Sequence, residues 1–232
     1  LLFLKGEGNE AFRFVEGYIQ NNSTPLKLVY AMAELYSWKK DFTNSIQWLK
    51  KYLTEKPTSL DGLLLFVKLH SEKNEFKIAR KTLDQLKAYY PSLPVVLYES
   101  ARLYRLEKKN NLALEELNKL EKLNSDYPTI RTLIGKIYQE EGLMEKAIEA
   151  FNKEKELNPG LMDPYVELGN LYLKIADISR KEEDFRKASL QFQKGNELNP
   201  GNLEIQFKLA KTYRALKRSS EAVAILSNLI KQ

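Results

Sequence analysis

Residues 128–161 read PTIRTLIGKIYQEEGLMEKAIEAFNKEKELNPGL. On either side of Gly142 the apolar residues recur at intervals of three and four, the spacing of a stripe along one helix face. The stretch therefore predicts two short amphipathic helices joined at Gly142, with Gly135, Tyr138, Ala147, Phe151 and Pro159 at fixed places. A single hairpin of this kind cannot bury its stripe, so it demands like neighbours.

The neighbours are present. Stepping by 34 residues from Pro128 gives starts at Pro94, Leu60 and Leu26 upstream, and at Met162 and, after one insertion, Leu203 downstream. Position 8 of these frames, where two helices cross, is Ala33, Val67, Ala101, Gly135, Gly169 and Ala210. Position 11 is Tyr36, His70, Tyr104, Tyr138, Tyr172 and Tyr213, a ring to fill the space between hairpins. Position 20 is Ser45, Ala79, Ala113, Ala147, Ala188 and Ala222, and position 24 is Leu49, Leu83, Leu117, Phe151, Phe192 and Leu226. Position 32 is Pro57, Pro91, Ser125, Pro159 and Pro200, where proline stops the second helix.

This pattern resembles the tetratricopeptide repeat family, best over Pro128 to Leu161 and in outline over the whole chain. The resemblance implies an all-α, right-handed superhelical solenoid of antiparallel helix hairpins. The chain then reads as one array over 1–232: a truncated repeat at 1–25, repeats at 26–59, 60–93, 94–127 and 128–161, one at 162–202 with a seven-residue insertion, and one at 203–232. Val67, His70, Ser45, Glu154 and Gly195 depart from the family pattern and are expected to weaken single interfaces. In the fifth repeat the extra residues, about 176–182, amount to two helical turns. One turn added to each helix would keep the hairpin in phase and let it protrude.

The ends read as cut. Residues 6–22 match a second helix, with Ala11 and Val15 at its small and large positions, and Leu1 to Lys5 fit the remnant of a first. No polar capping helix follows Ser219 to Gln232, and uncapped arrays expose apolar surface. Continuation of the parent protein on the N-terminal side, or pairing with a second copy, is expected.

Composition narrows the chemistry. There is no cysteine, which excludes disulfides, thiolate catalysis and cysteine zinc sites. The net charge of +6 comes from interleaved charges with no polybasic tail, and the longest apolar run, Leu63 to Val67, is far short of a membrane span. The opening LLFLKGEG has neither the basic head nor the apolar stretch of a signal peptide. Richness in Lys, Asn, Glu and Ile gives the chain a bacterial look. His70, the one histidine, occupies a ring position and reads as packed imidazole. No metal cluster, serine elbow or glycine-rich phosphate loop can be assembled, so neither catalysis nor a cofactor is expected.

Binding is the remaining class. The resemblance places positions 2, 5, 6, 9, 12 and 13 of each first helix on a concave groove. Position 5 reads Tyr30, Leu64, Tyr98, Thr132, Val166 and Phe207, an apolar floor. Positions 9 and 12 supply Lys68, Arg102, Arg105, Lys136, Lys211 and Arg214, with Asn170, against Glu34 alone. Positions 2, 6 and 13 add Asp61, Glu72, Glu99, Glu140, Asp163, Glu167 and Glu204 against Lys27, Lys174 and Lys208, so the groove is striped. Tyr30, Tyr98 and Phe207 are the expected anchors for a protein or peptide segment with acidic and hydrophobic residues.

Family members that clamp a chaperone's terminal carboxylate carry Lys at position 5 and Asn at position 9, whereas here Asn170 sits beside Val166. That partner is not expected. Aromatic and basic clusters at Tyr98 with Arg102 and Arg105, or Phe207 with Lys208, Lys211 and Arg214, could imitate a single-strand platform, but Glu99 and Glu204 interrupt them. Phe14 and Trp48 share position 23 of adjacent second helices, where they either pack between hairpins or form a convex patch for self-association.

Overall fold

The computed structural model describes residues 25–230, preceded by Arg13, Val15 and Gly17, with side chains through Ser227. The expected features at Leu1 to Lys5, Ala11 and Phe14 lie outside the described residues. Everything regular among the described residues is α-helix, in twelve segments. Two compact units divide the chain, Leu1–Leu120 and Glu121–Gln232.

The first unit contains α1 (Leu26–Trp38), α2 (Phe42–Glu55), α3 (Leu60–Glu72), α4 (Phe76–Tyr89), α5 (Pro94–Leu106) and most of α6 (Asn110–Leu123). The second contains α7 (Ile130–Glu140), α8 (Met144–Leu157), α9 (Asp163–Ser179), α10 (Glu182–Leu198), α11 (Leu203–Ala215) and α12 (Ser219–Ile230). Helix starts follow local chemistry. Ser59 and Asn202 accept the Gly62 and Ile205 amides at the mouths of α3 and α11, and proline occupies the first turn of α5 and α9.

The turn inside a hairpin is made by backbone alone. Lys40, Asn74, Lys108, Gly142 and Lys217 take positive φ. The next amide in each case donates to the carbonyl of the ring position five residues back: Asp41 to Tyr36, Glu75 to His70, Lys109 to Tyr104, Leu143 to Tyr138 and Arg218 to Tyr213. This left-handed cap satisfies a carbonyl that the helix end would otherwise orphan. The fifth hairpin differs. Its helices α9 and α10 are 17 residues each, so the extra residues are shared between them. Arg180 makes the left-handed turn, and the Ser179 hydroxyl donates to Asp184 at 2.6 Å.

The core runs from hairpin to hairpin within each unit. Ala33, Ile46 and Leu49 meet Leu69 of the next hairpin, and Val67, Ala79, Leu83 and Leu86 meet Val96 and Leu103. In the second unit Ala147 and Phe151 meet Leu168 and Leu171, and Ala188 and Phe192 meet Ile205, Leu209 and Tyr213. Each fully buried Leu or Phe contributes about 1.5–3 kcal/mol relative to exposure.

The departures from the family pattern have their own explanations. Ser45 is buried with its hydroxyl donating to the Ala33 carbonyl at 2.6 Å across the hairpin. Glu154 is buried and reaches across to the start of α7, accepting the amides of Thr129, Arg131 and Thr132 at 3.0, 2.9 and 3.3 Å, with the Asn158 side-chain amide at 2.7 Å. It is a cap delivered from the neighbouring helix, matched to the positive end of the α7 dipole. A Cβ at Gly195 would stand 3.4 Å from Val166 and 3.7 Å from Ile205, ordinary contact distances. Trp48 is half-buried, shared between the Met32–Leu35 and Ala33–Leu49 clusters, with the Lys51 ammonium over its ring. It packs between helices.

Candidate binding surface

In the first unit, α1 and α3 run side by side and leave a cleft of about 420 Å³ between them, lined by Glu34, Ser37, Trp38, Leu65 and Lys68. All five stand at positions that the family resemblance assigns to the groove. Trp38 is 50% exposed. Sequence reasoning misses it, because position 13 is read there for charge alone, although the indole is in plain view.

Tyr30 lies beside this cleft, half-buried, its ring 5.0 Å from that of Tyr52 and its hydroxyl hydrogen-bonded to Glu34. Burial, then the Glu34 and Asp61 carboxylates, push the Tyr30 phenol well above its ordinary range. The Glu34 carboxyl is also raised: desolvation and Asp61 lift it, against the Tyr30 hydrogen bond and the Lys68 charge that pull it down. Lys68 is exposed and, among the described residues, closes no ion pair within 4 Å.

Further along the same unit, Tyr98 and Arg105 of α5 are half-buried. Arg102 donates to Glu99 one turn back at 2.8 Å. In the second unit Thr132 is buried and so contributes no floor, whereas Phe207 is 60% exposed. Lys136 of α7 bonds Glu167 of α9 at 2.9 Å, and Lys211 of α11 lies 3.9 Å from Asp177 of α9. Lys208 pairs with Glu204 at 2.5 Å, Asn170 and Val166 are half-buried, and Arg214 is exposed. Half of the six cations expected at positions 9 and 12 thus have a carboxylate partner. Arg102, Lys136 and Lys211 each carry a carboxylate neighbour, two of them across adjacent first helices.

His70 is 4% exposed, its ring 4.3 Å from Phe66 and its Nδ1 2.5 Å from Glu75. The Glu75 carboxyl is held below its ordinary value by hydrogen bonds from Lys73 and then His70. Among the described residues no three His, Asp or Glu side chains gather into a metal site, and no helix is long and apolar enough to cross a membrane.

Family and structural comparisons agree with this architecture. Tetratricopeptide repeat models match residues 128–160 and 204–232. No curated protein matches the chain in sequence. The fold is similar to that of a thermophilic TPR protein from Thermus thermophilus, at 16% identity and TM-score 0.69, over 81% of this chain and 98% of that one. It is also similar to a chain of the APC/C hetero-tetramer Cut9–Hcn1, at 16% identity and TM-score 0.68, covering 98% of this chain but only 45% of that one. Human IFIT1, solved as a dimer with m7Gppp-AAAA, matches at 14% identity and TM-score 0.65, over 100% of this chain and 66% of that one. The chain therefore contains tetratricopeptide repeats, at α7/α8 and at α11/α12, within an all-helical fold of antiparallel hairpins.

Proposed function

We propose that this chain is a non-catalytic interaction scaffold whose first-helix faces bind a peptide segment of a partner protein and so assist complex assembly. The α1/α3 cleft carries this reading, because it joins an exposed indole, an aliphatic floor and charges of both signs on the face assigned to the groove. Tyr30, Tyr98 and Phe207 serve as anchors. Lys68, Arg102, Arg105, Lys136, Lys211 and Arg214, with Asn170, set orientation and on-rate toward the acidic parts of the segment. No cofactor enters the reading. The m7Gppp-AAAA ligand is that of human IFIT1. Here Glu99, Glu204 and Asp177 already engage Arg102, Lys208 and Lys211, which favours a peptide over a row of phosphates.

The test is a selection of displayed random peptides against the native chain, followed by binding to Trp38→Ala and to the Arg102→Glu/Lys136→Glu variant. Selected peptides should lose affinity for one or both variants while circular dichroism reports unchanged helicity. Peptides that bind all three proteins alike would sink the groove reading.

A second reading, self-association, is favoured by Val223 on α12, 61% exposed, with Leu226 also exposed on the same helix. Sedimentation over a concentration series decides it. A rising mass abolished by Val223→Glu supports a scaffold of copies, and a constant monomer mass removes it.

A further inference from the structure

The inserted turns carry the fifth hairpin past its neighbour. α9 and α10 are 17 residues each, against 11–13 in the other first helices and 12–14 in the other second helices. A groove beside α10 is lined by residues 182–193 of that helix on one side and by Leu216 and Arg218 on the other. The α11/α12 turn, at Lys217, therefore lies alongside the body of α10, and the extra helical turn sets the α9/α10 turn, at Arg180, about 6 Å further out. At this summit Ile178, in the last turn of α9, is 78% exposed, the highest value for a large apolar side chain among the described residues. So exposed a side chain contributes nothing to the core.

The charges around Ile178 are unequally matched. Each carboxylate near the turn is engaged: Asp177 lies 3.9 Å from Lys211, Glu182 and Glu183 lie 2.7 and 3.8 Å from Arg186 and Lys187, and Asp184 accepts the Ser179 hydroxyl at 2.6 Å. Lys174, one turn before Ile178 on the same face, and Arg180 and Lys181, directly after it, are exposed and close no ion pair within 4 Å among the described residues. The uncompensated charge at the tip is positive.

We propose that the α9/α10 tip is a peripheral membrane contact, in which Ile178 enters the interface of an anionic bilayer while Lys174, Arg180 and Lys181 meet lipid phosphates. Charge complementarity selects an anionic surface. Shape selects lipid over a folded partner, because Ile178 stands on a convex summit and a headgroup layer receives it without a matching recess. One aliphatic side chain and three cations make an attachment that is weak, reversible and screened by salt.

Co-sedimentation with vesicles of phosphatidylcholine, alone or mixed with phosphatidylglycerol, reads the contact. At low salt the native chain should pellet with the anionic vesicles and remain in solution with the neutral ones. Arg180→Gln/Lys181→Gln should weaken binding about twentyfold, at about fivefold per cation. Lys77→Gln/Lys81→Gln removes the same charge from exposed positions on α4 and should change binding by less than about twofold. Because the chain has no cysteine, Ile178→Cys takes a single environment-sensitive dye. Its emission should shift to the blue with anionic vesicles, whereas the same dye on Leu190→Cys, two turns down α10, should not respond. Equal losses in the two charge variants, an unshifted emission at position 178, or no binding to anionic vesicles overturns the proposal. Capture of an acidic, leucine-containing peptide in place of vesicles also overturns it and assigns the tip to a protein partner.

Discussion

The fourth hairpin, α7/α8, and the second, α3/α4, solve the same crossing with opposite volumes. In α7/α8 the crossing residue is Gly135, and the Phe151 ring lies so close that a Cβ there would stand 2.5 Å from it. Gly169 and Phe192 repeat this in α9/α10, at 2.6 Å. In α3/α4 the crossing residue is Val67, fully buried in one cluster with Leu83. The pairing of glycine with phenylalanine and of a larger residue with leucine shows that neither position has a required size. What the hairpins share is the sum, because a packed interior penalises both voids and overlap.

The strongest way to break that comparison is Gly135→Ala, which forces a methyl group into the Phe151 ring. Chemical denaturation should show a loss of about 3 kcal/mol. Adding Phe151→Leu should recover most of it, giving the fourth hairpin the volumes of the others. If the double variant is no better than the single, the two positions are not coupled.

The next effect sharpens a second difference between hairpins. Ser59 and Asn202 cap α3 and α11 from their own sequence, whereas α7 borrows Glu154 from α8. Glu154→Ala orphans three amides and should cost about 2 kcal/mol, against about 1 kcal/mol for Ser59→Ala. Equal losses would mean that the cross-hairpin cap is no stronger than a local one.

A smaller, opposite effect is expected at Gly195, where the helix has room for a methyl group. Gly195→Ala should raise stability by about 0.5–1 kcal/mol, read from the denaturation midpoint. A loss there would show that the helix–helix contact is tighter than its distances indicate. Together with Gly135→Ala it makes a matched pair: one substitution, two glycines, opposite signs.

The weakest effect is in acid. Burial pushes the Glu107 carboxyl up, but hydrogen bonds and charge from Arg80 and Lys109 outweigh it and hold the group below its ordinary value of 4.5. The unfolded chain therefore takes up that proton at a higher pH than the folded one. The stabilisation is full above about pH 4.5 and drains away as pH falls toward the folded value. Native protein should lose stability more steeply than Glu107→Gln across that window. Parallel curves would show that the clasp contributes nothing.

The periodic part of this structure was legible because it depends on residue size and spacing alone. Gly135, Tyr138, Ala147 and Phe151 announce a helix pair without reference to any distant partner. The roles of Ser45 and Glu154 were not legible, because each is settled by a group on another helix, the Ala33 carbonyl and the amides at the start of α7. Both looked like flaws in the pattern. The ion pairs of the surface cations were not legible either: that Lys136 meets Glu167 and Lys211 approaches Asp177 follows from how adjacent first helices are set side by side.

The crossing pair has one more consequence, for descent. Gly135 and Phe151 belong to the same hairpin, as do Val67 and Leu83 and Gly169 and Phe192. A duplicated hairpin thus arrives with its crossing already matched, while two hairpins recombined at their turn would inherit one half of each solution. An array of this kind lengthens most readily by copying whole hairpins.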